Sequence, residues 1–129
     1  MKKMLFALAL SLVAGGSAQA RSRPLGAETT IPFASNGGLR DWQRGGAQSD
    51  ALWVRDRTEQ WYLVRLSGRC RFDFPLDTLI YTTDPSGIFD RFSTVRVGSE
   101  PYQVCGVRSI VASAPPPGHE GQGRTKPAG

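Results

Sequence analysis

Few residues of this sequence have the type and spacing that catalysis requires. His119, the single histidine, lies in a Pro/Gly-rich tail without a scaffold to orient a base, which argues against a histidine-based triad. Asp73 and Asp77 could pair for acid–base chemistry, but such pairs usually serve as solvated surface charge. The sequence also lacks Gly-x-Ser-x-Gly, His-Glu-x-x-His and a Gly-rich phosphate loop. We therefore assign no catalytic residue, no metal ligand and no cofactor.

Arg40, Asp41 and Trp42 form the main candidate for binding. They stand between two Gly-Gly pairs, and arginine beside an exposed aromatic ring is a favourable contact surface for a protein or a glycan. Strand alternation would place Arg40 and Trp42 on one face and Asp41 on the other. In the opposite interpretation, which we favour, tryptophans fill the core of a small domain and Arg40 pairs with a carboxylate. The Asp-Arg-Phe sequence at residues 90–92 allows the same two interpretations.

Residues 1–20 have the order of a secretory signal peptide. Two lysines precede an apolar run over residues 4–14, and a small-x-small cleavage site ends at Ala20. The run is too short to span a bilayer, which needs about 20 apolar residues. A lipid anchor would need a cysteine directly after the cleavage site, where Arg21 stands. We expect cleavage near Ala20 and a location in the periplasm or outside the cell, without a transmembrane segment or a lipid anchor.

The two cysteines, Cys70 and Cys105, are expected to form one disulfide bond. A pair of cysteines in an exported protein is normally oxidised. Closing a loop of this length contributes about 3–4 kcal/mol in the chain-entropy model. The alternative is a reactive thiol pair, but such pairs normally occupy a Cys-x-x-Cys motif at a helix start. The two cysteines therefore indicate a structural cross-link.

The charge distribution argues against nucleic acid as a partner. The formal net charge is +5, but two of these charges belong to the lysines of the signal peptide. Residues 31–112 contain ten arginines against nine aspartates and glutamates, so the folded region is nearly balanced. A nucleic-acid-binding domain usually concentrates its positive charge on the fold.

Short β-favouring runs separated by turn residues extend over the rest of the sequence. The clearest is a hairpin over residues 51–66, in which two aromatic and aliphatic runs flank an Asp-Arg-Thr-Glu turn. The turn Asp-Pro-Ser-Gly at residues 84–87 separates two further runs. Residues 75–78 could alternatively begin a short helical turn with proline first. The remaining predicted strands are 39–43, 78–83, 88–97 and 102–111.

This pattern predicts a mainly β fold, a small antiparallel barrel or sandwich of about six short strands with one disulfide. We divide the chain into a signal peptide (1–20), a flexible leader (21–30), a single β domain (31–112) and a disordered tail (113–129). The tail prediction depends on its Pro/Gly-rich composition, which buries too little apolar surface to offset the entropy of ordering.

Several short motifs follow one another along the chain. They are Ile31-Pro32-Phe33, Leu39-Arg40-Asp41-Trp42, Trp61-Tyr62, Cys70, Asp90-Arg91-Phe92, Val95 and Cys105. Their order resembles a family of small exported proteins of Gram-negative bacteria that is known only as a domain of unknown function. The resemblance covers about residues 31–110, and it implies an exported, disulfide-containing domain without an assigned activity. Some relatives look lipid-anchored, and this chain differs from them because it has no early cysteine.

The sequence favours a non-enzymatic β domain that binds an envelope protein or glycan, or has a structural role in the envelope. An inhibitor of an envelope hydrolase such as lysozyme is one concrete version, by analogy with other small secreted β domains. A hydrolase that uses carboxylates is the alternative from a different class. A pocket with two buried carboxylates about 5–10 Å apart would favour the enzyme.

Export and oxidation make a direct prediction for the mature protein. Intact-mass analysis of protein recovered from the periplasm or medium should show a chain that begins near Arg21 and contains no free thiol. Alkylation without prior reduction should leave the mass unchanged, because both sulfurs are in the disulfide. Recovery of two alkylated cysteines would contradict the structural cross-link.

Overall fold

The computed structural model describes the chain between residue 24 and residue 128 with short gaps. Its first strands are β1 (Leu39–Arg44), β2 (Ala51–Asp56) and β3 (Trp61–Leu66), and neighbouring strands pair antiparallel. The β2–β3 pair confirms the predicted hairpin. β1 is preceded by a short 3-10 turn (Ala34–Asn36). The described residues are 24–45, 50–68, 70, 72, 78–117 and 123–128.

Three further strands form the second half of the sheet. They are β4 (Leu79–Tyr81), β5 (Thr94–Val97) and the long β6 (Glu100–Ser113). The predicted strand over residues 88–97 is wrong in its first half. There the Asp90 carboxylate accepts hydrogen bonds from the Phe92 amide and the Ser93 hydroxyl, and these bonds form a turn before β5 begins.

β6 connects the two halves of the sheet. It pairs with β3 through its second half and with β5 through its first half. The other edge of its second half is covered by residues 26–29, where the Gly26 amide donates to Ala112 and the Thr29 amide donates to Ile110. These residues belong to the segment whose composition predicts a flexible leader, and they lie along β6.

A seventh strand closes the sheet into a barrel. β7 (Gly123–Pro127) pairs antiparallel with β1 and parallel with β4, which gives the closed order β1-β2-β3-β6-β5-β4-β7. The predicted mainly β fold is confirmed, with a barrel rather than a sandwich and with one parallel pair. β7 lies in the tail, residues 113–129, for which composition predicts disorder. Composition does not predict β7 because composition reports apolar burial. A segment of this kind is held by backbone hydrogen bonds to two strand edges.

The barrel interior is filled by aromatic and branched side chains. Trp42 meets the ring of Phe72 edge to face at 5.9 Å, and Tyr81 meets Phe89 in the same way at 5.9 Å. Such contacts add stability beyond the area that they bury. The largest fully buried side chains are Trp42, Tyr62, Tyr81, Phe89, Ile31, Leu52, Leu66 and Leu79.

The predicted disulfide between Cys70 and Cys105 is confirmed, with the two Cα atoms 6.0 Å apart. Cys105 lies on β6 opposite Val95 of β5, so the disulfide links the segment after β3 to β6. Within the described residues, no helix has the length and apolar character that a bilayer span requires.

Trp42 should be the side chain whose truncation the barrel tolerates least. Its exposed fraction is 0%, so Trp42→Ala should leave a cavity and lower the free energy of unfolding by about 3–5 kcal/mol. Tyr102, whose exposed fraction is 98%, is the matched control, and Tyr102→Ala should change stability by less than about 0.5 kcal/mol. Urea unfolding measures both. A small effect at Trp42 would contradict the packing described above.

Tyr81 should make stability depend on alkaline pH. Its hydroxyl donates to the Ala34 carbonyl, and burial raises its pKa above the usual 10.0, while a backbone hydrogen bond with Leu39 acts in the opposite direction. Because the folded pKa is the higher one, ionisation above about pH 10 favours the unfolded chain, so wild-type stability falls as pH rises beyond that point.

The variant Tyr81→Phe loses the hydrogen bond but cannot ionise. Its stability deficit, about 1 kcal/mol at neutral pH, should therefore shrink as pH rises above about 10. Urea unfolding at about pH 8 and about pH 11 measures the change. The control Tyr102→Phe should run parallel to wild type, and a deficit at Tyr81 that is constant across pH would contradict the assignment.

Candidate functional site

The structure separates the three residues that the sequence grouped as a binding site. The register between β1 and β2 shifts between Leu39 and Asp41, so Arg40 is an extra residue on a β-bulge. As a result Leu39 and Trp42 are both buried, and Arg40 is exposed. The predicted alternation, with Arg40 and Trp42 on one face, is wrong for this reason. Trp42 has no surface with which to contact a partner.

Asp41 is engaged in a side-chain network on the outside of the sheet. The Arg55 guanidinium donates to both carboxylate oxygens of Asp41, at 3.1 Å from Nε to Oδ1 and closer from Nη2 to Oδ2. The same guanidinium lies 5.3 Å from the centre of the Trp61 ring. A bidentate ion pair of this type fixes both side chains, so Asp41 holds β1 against β2.

Arg40 pairs with a carboxylate across the end of the barrel. Its Nη1 lies 3.6 Å from Glu59 Oε1 in the turn between β2 and β3, and the two side chains remain 49% and 72% exposed. An exposed pair at this distance contributes little to stability. Both groups are therefore free to exchange this contact for one with a partner at low energetic cost.

Phe33 contacts Arg57 of the turn that also carries Glu59, and sequence reasoning did not single it out as a site residue. Phe33 is 54% exposed, and the Arg57 guanidinium carbon lies 4.5 Å from the centre of its ring. The Arg57 amide in turn donates to the Gly38 carbonyl at 3.0 Å, which ties the two loops together. We call Phe33, Arg40, Arg57 and Glu59 the Arg40 surface.

The backbone of the Arg40 surface is strained. Among the described residues, Phe33 and Glu59 are the two non-glycine residues with positive φ, at 61° and 69°. Glu59 occupies the turn position where hairpins usually carry glycine. Phe33 precedes the 3-10 turn, and its carbonyl oxygen lies 2.3 Å from where a Cβ on Gly38 would be. The Asn-Gly-Gly sequence at residues 36–38 was the signal that this loop needs an unusual backbone.

A second exposed site surrounds the turn before β5. Phe92 is 80% exposed, with the Arg91 guanidinium 5.1 Å from its ring centre. Beside it lies an open groove of about 380 Å³, lined by Glu28, Thr29, Thr30, Asp90, Arg91, Phe92, Ser109 and Ile110. The Asp90 carboxylate accepts hydrogen bonds within its own turn and so has a structural role. In the predicted Asp-Arg-Phe motif, only Arg91 and Phe92 are exposed.

The buried carboxylate in the described part of the chain is Asp56, and it has a structural role. It accepts hydrogen bonds from the Thr58 amide and hydroxyl and the Gln60 amide at 2.7–3.0 Å, and from the Tyr62 hydroxyl at 2.9 Å. These bonds shape the turn of the hairpin and occupy both oxygens. The predicted carboxylates Asp73 and Asp77, like His119, lie outside the described residues.

The residues that the structure describes contain no group of three or more His, Cys, Asp or Glu side chains that could hold a metal ion.

Comparisons with known proteins identify a family and no characterised relative. No curated protein and no solved structure gave a significant match. A family model described as a family of unknown function, DUF6491, matches residues 1–114. This match covers every described strand except β7, and it confirms the resemblance to a domain-of-unknown-function family. The chain therefore belongs to the DUF6491 family.

Proposed function

We propose that this protein is an exported, non-enzymatic binding domain that docks a protein of the cell envelope through the Arg40 surface. The proposal assigns the barrel to the role of scaffold. It assigns recognition to Phe33, Arg40 and Arg57, and it treats Glu59 as the group that occupies Arg40 until a partner arrives.

Two features support export. Residues 1–20 combine a basic start, an apolar run and a small-residue cleavage site. The Cys70–Cys105 disulfide fits an oxidising compartment such as the periplasm or the cell exterior. Both features have a common explanation if the chain is secreted and oxidised after synthesis.

The observation that carries the proposal is the left-handed backbone of the exposed Phe33. A bulky residue in this conformation costs about 1–2 kcal/mol relative to its preferred conformations. Burial does not repay the cost, because Phe33 remains 54% exposed. Backbone strain that stability does not explain is concentrated at functional sites in proteins. We therefore assign the exposed Phe33 side chain to contact with a partner protein.

The chemistry of the Arg40 surface indicates an acidic partner with an apolar pocket. Arg57 lies over one face of Phe33, so the ring and the guanidinium can enter a pocket together. Arg40 offers a planar, two-pronged donor for a carboxylate. Arginine and aromatic residues dominate the binding energy of protein interfaces, which favours a protein over a glycan.

An envelope hydrolase is the most concrete partner of this type. Glycoside hydrolases place two carboxylates in a cleft, and the guanidinium groups of Arg40 and Arg57 match such a pair in charge. Inhibition of a hydrolase is thus one version of the binding role. A carboxylate-dependent hydrolase activity of the chain itself stays a prediction that depends on Asp73 and Asp77, because both oxygens of Asp56 are occupied by the hairpin.

Affinity capture with Phe33→Asn separates binding from folding. Asparagine adopts the left-handed conformation more readily than phenylalanine, so the variant should keep the fold while it removes the ring. Immobilised wild-type protein should enrich a partner from a periplasmic extract, and Phe33→Asn and Arg40→Ala should each reduce that enrichment at least about tenfold, as expected for hot-spot residues. Quantitative mass spectrometry measures the enrichment.

The matched control is Tyr102→Ser, which removes an exposed aromatic ring elsewhere on the barrel. It should leave the enrichment unchanged. Equal enrichment by wild type and Phe33→Asn, with both proteins folded by circular dichroism, would refute the role of the Arg40 surface. The identity of the captured protein distinguishes an inhibitor of a hydrolase from other docking roles.

A further inference from the structure

The way in which β7 closes the barrel indicates a second binding site. β1 and β4 do not pair with each other, and β7 fills the slot between them. Arg124 lies opposite Asp41 on β1, and residues 125–127 lie opposite the three residues of β4. The Ala128 amide extends this ladder by donating to the Tyr81 carbonyl at 2.8 Å. The slot therefore holds an extended strand by both of its edges.

The strand in this slot adds little to the barrel interior. Its central residue, Thr125, is half-buried, and its hydroxyl donates to the Leu39 carbonyl at 2.7 Å. Arg124 and Lys126 are exposed, and no residue of β7 belongs to the hydrophobic core of the described residues. Pro127 lacks an amide donor. The slot thus recognises backbone shape and alternation rather than large side chains.

The family model covers the two strands that form the slot but not the strand that fills it. Both walls, β1 and β4, lie within the matched residues 1–114, whereas β7 lies after them. The slot is thus part of the domain that defines the family, and the strand that fills it comes from the segment beyond that domain.

We propose that the slot between β1 and β4 is an acceptor site for an extended segment of a partner protein, and that β7 occupies it in cis until a competing segment binds. The expected segment runs antiparallel to β1 and parallel to β4. It has a small or β-branched residue at the position of Thr125 and polar residues at the exposed positions of Arg124 and Lys126. Strand addition to an exposed sheet edge is a general mode of peptide recognition.

Occupation in cis determines how the site must be tested. A tethered strand acts at an effective concentration in the millimolar range, so a free peptide competes poorly unless the tethered strand is weakened. Thr125→Pro in the full-length chain weakens it, because proline removes the hydroxyl contact with Leu39 and cannot donate to the ladder.

The experiment measures fluorescence anisotropy of a labelled peptide that has the sequence of residues 121–129. The full-length Thr125→Pro protein should bind this peptide at least about tenfold more tightly than wild type does, because its own strand competes less. A peptide with proline at the position of Thr125 should not bind. Failure of the folded Thr125→Pro protein to bind the unmodified peptide would overturn the proposal.

A locked variant supplies the matched control. Asp41→Cys/Arg124→Cys places two cysteines at directly opposite positions of β1 and β7, so an added disulfide holds the strand in the slot. The disulfide-linked Asp41→Cys/Arg124→Cys protein, which keeps Thr125, should not bind the peptide. The single variant Arg124→Ser, which cannot form the link and leaves the Asp41–Arg55 pair intact, should bind no more weakly than wild type. Peptide binding by the locked protein would place the peptide outside the slot and overturn the assignment.

Hydrogen exchange on the unmodified full-length chain tests the same point without substitutions. The β7 amides should exchange at least about tenfold faster than the β3 and β6 amides, because β7 leaves the slot without global unfolding. Exchange of β7 at the rate of β3 and β6 would make it a permanent part of the barrel and would overturn the proposal. A dimer of the unmodified chain with exchanged tails would instead assign the slot to a second copy of this chain, which also contradicts a partner segment.

Discussion

The packing of large rings inside a narrow barrel is the constraint on which the rest of this structure depends. Trp42, Tyr62, Tyr81 and Phe89 fill the interior and leave almost no surface exposed. A domain of this size reaches a stable core only if its largest apolar residues are inside. Trp42 must therefore point inward, and the bulge at Arg40 within β1 is the local adjustment that lets both Leu39 and Trp42 do so.

The same constraint decides which residues remain for recognition. Asp41 and Asp56 hold strands and turns in place, so their carboxylates are used by the fold. Phe33 and Arg40 are not needed in this way: one is an exposed ring on a strained backbone, and the other makes an exposed ion pair. We assign binding to Phe33, which the fold holds outward at a cost, and to Arg40, whose ion pair contributes little to stability.

Local sequence chemistry predicts part of this structure well. The β2–β3 hairpin has strong β-formers on both sides of a polar turn, and the two cysteines have a single pairing, so both features are confirmed. The bulge at Arg40 could not be predicted, because it results from the tertiary register between β1 and β2. β7 could not be predicted either, because composition reports apolar burial and not the backbone partners that two open strand edges offer. The loop that carries Phe33 also folds back so closely on itself that only glycine fits at residue 38, a contact that sequence pattern does not reveal.

The central claim is that Phe33 serves recognition and not stability. The free energy of unfolding of Phe33→Asn, measured in urea, tests it most directly. Release of the left-handed strain gains about 1–2 kcal/mol, and loss of the contact with Arg57 costs about 0.5–1 kcal/mol. The account predicts that the variant is as stable as wild type or more stable. A loss of more than about 2 kcal/mol, as for a buried side chain, would contradict it.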